Sequence, residues 1–179
     1  MVAILLVVKQ FTKGVRELPG ESTPTTPARQ EIGETFTSVE NGYSHRIPKG
    51  WESKPAPPSA AAMIAPAKSS GLSSKMVTTV EPYNGSLRDY VDTDVQALRK
   101  SALKGKVANA EFAADSKTPA YKVKLQTGPK DVDLTETMYI FQGTGDKKIV
   151  ITCTAPAKFE AQLEPLFDAC MKTFALSTH

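Results

Sequence analysis

FTSVENGYSHRIPKGWE, residues 36–52, decides where the folded part of this chain begins and which fold follows. Apolar or aromatic residues recur at Phe36, Val39, Tyr43, Ile47 and Trp51. Between them, Glu40-Asn41-Gly42 has turn composition, since asparagine and glycine tolerate the left-handed backbone that tight turns need. Pro48-Lys49-Gly50 then leads into Trp51, the only tryptophan. A lone tryptophan where a strand exits reads as a packing anchor, with Tyr43 beside it; the same two rings would also suit the wall of a ligand pocket.

Downstream, KMVTTVE (residues 75–81) alternates as a short strand does, and AAAMIAPA precedes it at residues 60–67. The spacing from Ser86 predicts a helix over residues 86–105. Ser86 is its N-cap with Asp89 three residues on, and Leu87, Tyr90/Val91, Val95, Leu98 and Leu103 form its apolar stripe. Lys100, Lys104 and Gly105 close it, as cations and glycine suit a C-terminus. Strands are expected at 107–114, 121–126, 134–142 and 148–154, the last two joined by a hairpin turn at Gly143-Thr144-Gly145-Asp146. A final helix over 158–173 carries Phe159, Leu163, Leu166/Phe167, Cys170 and Phe174 on one stripe. Strands, helix, antiparallel strands, helix: this order predicts an α+β fold, an antiparallel β-sheet flanked by helices in an α/β/α sandwich.

Ahead of that domain, assigned to residues 34–177, lie two other zones. Residues 1–18 open with an unbroken apolar run, MVAILLVV, followed by Lys9, Lys13 and Arg16. The run is too short for a spanning helix, which needs about 20 apolar residues. A secretory signal would carry its charge before the apolar core. It is either the remnant of a signal or anchor, or a structural element packed on the domain. Residues 19–33, with Pro19, Pro24 and Pro27 among serines and threonines, have no apolar period and read as a linker.

The 179 residues carry 22 Lys+Arg against 19 Asp+Glu, and no basic run of five or more occurs, so no nucleic-acid footprint is indicated. Cys153 and Cys170 match no CxxC-type metal motif. With a helix folded back over a strand, Cys170 lies about 20 Å from the intervening turn and Cys153 about 10 Å from it. A disulfide needs Cα atoms within about 7 Å, so two buried free thiols are expected.

These residues resemble the PsbP/DcrB-like group, which takes in a photosystem II subunit, bacterial lipoproteins and a Ran-binding import factor. The matching features are Gly42-Tyr43 followed by Pro48-x-Gly50-Trp51, and the helix with Ser86-Leu87-x-x-Tyr90. The Tyr139 strand, KIVITCTA, and a last helix closing on Phe174-x-Leu176 complete them. The resemblance covers about 140 residues and its motifs are structural rather than catalytic. It implies a binding or accessory module for a protein partner, often one that is attached to membrane complexes or helps assemble them. An extracytoplasmic, periplasmic location with a membrane tether through the N-terminus would follow. A cytosolic branch similar to Eag chaperones, sheltering apolar client segments, is the alternative. No catalytic residue set or cofactor comes with the resemblance, and the calcium or manganese linked to photosynthetic members carries over to no residue of this sequence.

His45 beside Arg46 reads as a plain surface histidine, and His179 is the last residue, so the two make a poor metal or acid–base pair. Asp89, Asp92 and Asp94 invite a hard-cation reading, but acids at a helix start are favoured by the macrodipole alone. Asp131, Asp133 and Glu136 read as a solvated turn next to Lys130. Ser69, Ser70, Ser73 and Ser74 lie in no G-x-S-x-G or S-x-x-K setting, which leaves a small hydrolase or metal-dependent enzyme as the weakest class. Gly143-x-Gly145 is a hairpin turn and not a phosphate cradle. Lys122 and Lys124 alternate onto one strand face, near Lys100, Lys104 and Lys106. They are either a solvated strand edge or a basic docking patch for an acidic partner.

Overall fold

The computed structural model describes residues 31–56, 59–66, 74–100, 107–112, 118–127 and 133–177. Along them run β1 (Ile32–Ser38), β2 (Tyr43–Pro48), β3 (Glu52–Ala56), β4 (Ser59–Ile64), β5 (Lys75–Pro82) and α1 (Leu87–Lys100). Then follow β6 (Val107–Phe112), β7 (Ala120–Thr127), β8 (Leu134–Gln142) and β9 (Lys147–Pro156). A 3-10 turn (Ala157–Phe159), α2 (Glu160–Lys172) and the short β10 (Ala175–Leu176) complete the order. The N-terminal segment, residues 1–18, and most of the linker lie outside the described residues. Strand β1 starts at Ile32, two residues earlier than the domain start read from composition.

Seven strands form one antiparallel sheet in the order β3-β4-β5-β9-β8-β7-β6, and β1-β2-β10 form a second, three-stranded sheet. Strand β8 shows why the large sheet needs cover on both faces. Its Met138 and Ile140 point into a core with Leu87, Tyr90, Val91, Val95 and Leu98 of α1. Its Tyr139 and Phe141 point the other way, into a core closed by α2 and the small sheet. A strand with successive side chains on opposite faces reads as continuously hydrophobic when both faces are buried. The expected sandwich is therefore present, with the three-stranded sheet as an addition that periodicity did not reveal.

Local chemistry sets the ends of the elements. The Ser86 hydroxyl accepts from the Asp89 N–H at 3.0 Å and donates to the Asp89 carboxylate at 2.7 Å, which is the predicted cap. The β1–β2 turn closes through Gly42, whose N–H donates to the Ser38 carbonyl at 2.9 Å with φ at 67°. Val39 sits in that turn and is 79% exposed, so its place in the apolar pattern was misleading. In the β8–β9 hairpin, Gly143 N–H donates to Lys147 carbonyl at 2.9 Å, and Gln142 Nε2 donates to the Gly145 carbonyl at 2.9 Å. That loop is a turn, as expected.

The small sheet docks through a column of parallel rings. His45 stacks on Tyr43 (6.1 Å, 3°), Tyr43 on Phe174 (5.7 Å, 16°), and Phe174 on Phe141 (3.8 Å, 9°). Trp51, 6% exposed, meets Phe167 edge-on at 5.9 Å and is the packing anchor the sequence implied. Cys153 and Cys170 are both free and both buried in this same core.

Candidate functional site

Lys122 and Lys124 form the most organised polar arrangement among the described residues, and it differs from both sequence readings. Strand β7 is not an edge, because β6 pairs along its outer side. The two lysines face α2, whose Glu160, Glu164 and Asp168 recur every four residues. Helical steps of four advance about 6 Å, and alternate strand residues about 6.6 Å, so the two rows run in step. Each lysine lies between two acids. Lys122 Nζ is 2.7 Å from Glu164 Oε1 and 2.7 Å from Asp168 Oδ1. Lys124 Nζ is 2.9 Å from Glu164 Oε2 and also contacts Glu160. Hydroxyls finish both ends, Tyr139 donating to Asp168 at 2.5 Å and Thr135 to Glu160 at 2.9 Å.

This ladder is half-buried, and its pKa values follow. Burial opposes the charge on Lys122, but its bonds to Asp168 and Glu164 outweigh that and raise its pKa. Burial likewise opposes ionisation of Glu164, and the two lysines more than offset it, lowering its pKa. The Tyr139 phenol is raised by burial, with the neighbouring acids adding to the shift. The pair of lysines thus spends its charge internally and is neither a solvated edge nor a free docking patch.

The aspartates separate. Asp89 is bonded to the Ser86 cap in the first turn of α1, and exposed Asp92 lies 3.9 Å from Arg88 one turn back. Asp94 is half-buried and joins a cluster that sequence reasoning missed. There Tyr90 donates to Glu81 Oε2 at 2.9 Å, while Glu81 Oε1 and Asp94 Oδ2 are buried with no partner among the described residues. Burial raises the Asp94 pKa to about 6, with Glu81 adding to the effect against a bond from Tyr90. Across the ladder from Glu81 lies Lys148, 1% exposed, whose Nζ donates to the Tyr83 carbonyl at 3.1 Å and stands 5.6 Å from the Tyr83 ring. Alternation along β5 and β9 was the available signal. What sets Glu81 opposite Lys148 is the register between the strands, which is not written in either one.

Two further expectations are corrected. Glu136 is no turn residue: it lies in β8, 6% exposed, with its pKa raised by burial and pulled back by Lys75. Lys75 feels the same burial, which lowers its pKa to about 8 against the pull of Glu136. Asp133 is exposed, as read. His45 is not on the surface: it is 1% exposed, because its partner rings Phe36 and Tyr43 enclose it in the small sheet. Ser74 is 9% exposed just before β5. Ser69, Ser70, Ser73, Lys104, Gly105, Lys106, Asp131 and His179 lie outside the described residues.

The architecture is that of the PsbP/DcrB-like proteins. No family model matches the chain, and no curated protein matches it in sequence. Among solved structures it is similar to cyanobacterial PsbP from Synechocystis, with a TM-score of 0.60 and 10% identity over 87% of this chain and 98% of that one. It is also similar to LpqN, involved in cell envelope biogenesis of Mycobacterium tuberculosis, with a TM-score of 0.63 and 7% identity over 83% of this chain and 91% of that one. A third is the Ran-binding protein Mog1p of Saccharomyces cerevisiae, with a TM-score of 0.59 and 11% identity over 82% of this chain and 96% of that one. The fold implied by the sequence resemblance is thereby established.

Proposed function

We propose that this domain is a non-catalytic binding or assembly module whose ligand is another protein. The carrying observation is the way its reactive side chains are used. Lys122, Lys124, Glu160, Glu164 and Asp168, the raw material of acid–base chemistry, neutralise one another between strand and helix. A charge held by two partners is poorly placed to move a proton to a substrate. The likeness in fold to a Ran-binding protein and to a protein of cell envelope biogenesis supports the same reading.

In its finer form the reading places the domain beside a membrane, outside the cytoplasm, with the apolar residues 1–8 as tether and the Pro/Thr-rich stretch as spacer. Among the described residues no helix is long and apolar enough to cross a membrane. The test is affinity capture of the tagged full-length chain from native membranes and from cytosol, with partners identified by mass spectrometry. A stoichiometric membrane complex is the expected result. Recovery of soluble, transient clients alone would replace this reading with that of a chaperone for apolar segments.

A further inference from the structure

Strand β10 is two residues long and pairs only with Tyr43 and Ser44, so it stops short of Arg46. Side chains supply the bonds a longer strand would have made. The Arg46 N–H donates to Thr173 Oγ1 at 2.8 Å, and His45 Nδ1 lies 3.0 Å from the Arg46 carbonyl. A carbonyl only accepts, so Nδ1 carries the proton and the neutral ring keeps its lone pair on Nε2. Among the described residues Nε2 is buried and has no partner.

Among the described residues, the groups around this ring offer it no counter-charge. Phe36 of β1 lies 5.6 Å away and Tyr43 of β2 is stacked on it. The Tyr43 phenol is held neutral by burial. Arg46 adds a cation at the surface, its Nε donating to the Gly33 carbonyl in β1. From α2 comes Cys170, a buried thiol; β10 brings Ala175 and Leu176, and the acid of β1, Glu34, is exposed. A second proton on His45 would therefore place an unpaired charge in an apolar site, which is costly.

We propose that His45 is an acid-sensitive catch: protonation expels its imidazole from the core and releases the β1-β2-β10 sheet from the seven-stranded sheet, which stays folded. The large sheet keeps α1 on its far face and α2 pinned by the charge ladder, so it does not depend on the small sheet alone. Release uncovers the aromatic faces of Phe36, Tyr43 and Phe174, closed at neutral pH. Burial lowers the ring's pKa from 6.5 to about 4, partly opposed by the bond to Arg46. The released ring takes its proton near 6.5 and the docked ring near 4. Docking is thus at full strength above pH 6.5 and weakens as pH falls toward 4. The opening equilibrium rises on the order of 100-fold between about pH 7 and about pH 4.5.

Hydrogen exchange of the full-length chain, corrected for intrinsic rates across that range, tests this. Amides of β2 and β10 are expected to lose protection on acidification while those of β8 and β9 keep theirs, and His45→Gln or His45→Phe is expected to abolish the difference. Equal protection of the small sheet at both ends of the range, the same loss in a variant, or simultaneous opening of both sheets would overturn the proposal. Should neither variant fold, the ring protons of the native chain decide by NMR. Titration together with loss of small-sheet protection supports the catch, and titration near 6.5 with the sheet still closed sinks it.

Discussion

Lys122 Nζ and Asp168 Oδ1 stand 2.7 Å apart, joining a strand and a helix 46 residues distant in sequence. The lysine side chain is 18% exposed and the aspartate 30%. This pair ends a ladder that fixes the position of α2 on the sheet. Removing one partner of a half-buried pair leaves the other charged and incompletely bonded, which costs more than the pair itself is worth. Lys122→Met is expected to destabilise the domain by about 1–3 kcal/mol in urea unfolding. The exposed pair Lys49–Glu31, 70% and 62% accessible, is the control, and Lys49→Met should change stability by less than about 0.5 kcal/mol. Equal effects at the two sites would show that the ladder is ordinary surface charge.

Asp94 predicts a pH dependence of opposite sign to that of His45. The folded chain holds the Asp94 proton up to about pH 6, whereas an ordinary aspartate loses it near 3.8. The stability linked to that proton is complete below 3.8 and is lost as pH rises through 6. Asp94→Asn removes the buried charge beside Glu81. It should raise the thermal midpoint near neutral pH and leave it nearly unchanged at about pH 4. A uniform shift across the range would mean that the carboxylate is not the cause.

Phe174 is fully buried between Tyr43 and Phe141, so it couples the small sheet to the large one. Phe174→Ala removes ring contacts on both sides and leaves a cavity, for about 3–5 kcal/mol of lost stability. Phe174→Leu keeps most of the volume and should lose roughly half of that or less. If the two variants unfold at the same denaturant concentration, the column is not what joins the sheets.

The thiols should be silent in the native state. Burial raises the Cys170 pKa to about 12 and lifts Cys153 well above its ordinary value, and the thiolate is the reactive form. Both are expected to react with a disulfide reagent only at the rate of unfolding, with two equivalents appearing in denaturant. Rapid modification of either cysteine without denaturant would contradict the packing described.

Much of the fold was legible because its elements carry their own signals. The α1 stripe from Leu87 to Leu98 with its Ser86 cap, the Gly143–Gly145 turn and the apolar strand β8 are local patterns, and each fell where the sequence placed it. The polar sites were not legible for the same reason in reverse. His45 looks like any polar strand residue, and only the closeness of Phe36 and Tyr43 makes it internal. Lys122 and Lys124 alternate as edge lysines do, but β6 pairs outside their strand, and the acids of α2 packed over their face of the sheet make them internal. Glu136 follows a polar loop in sequence but lies within the sheet in space.

By itself the sequence determined the class of the protein: periods of two and of 3.6, a cap, and turns are enough to specify an antiparallel sheet with a helix on each side. The second sheet and every charged contact of consequence were decided by tertiary structure. Strand register, helix placement and burial set which charges meet and what their pKa values become. Those quantities arise between segments far apart in the chain, where no local pattern records them.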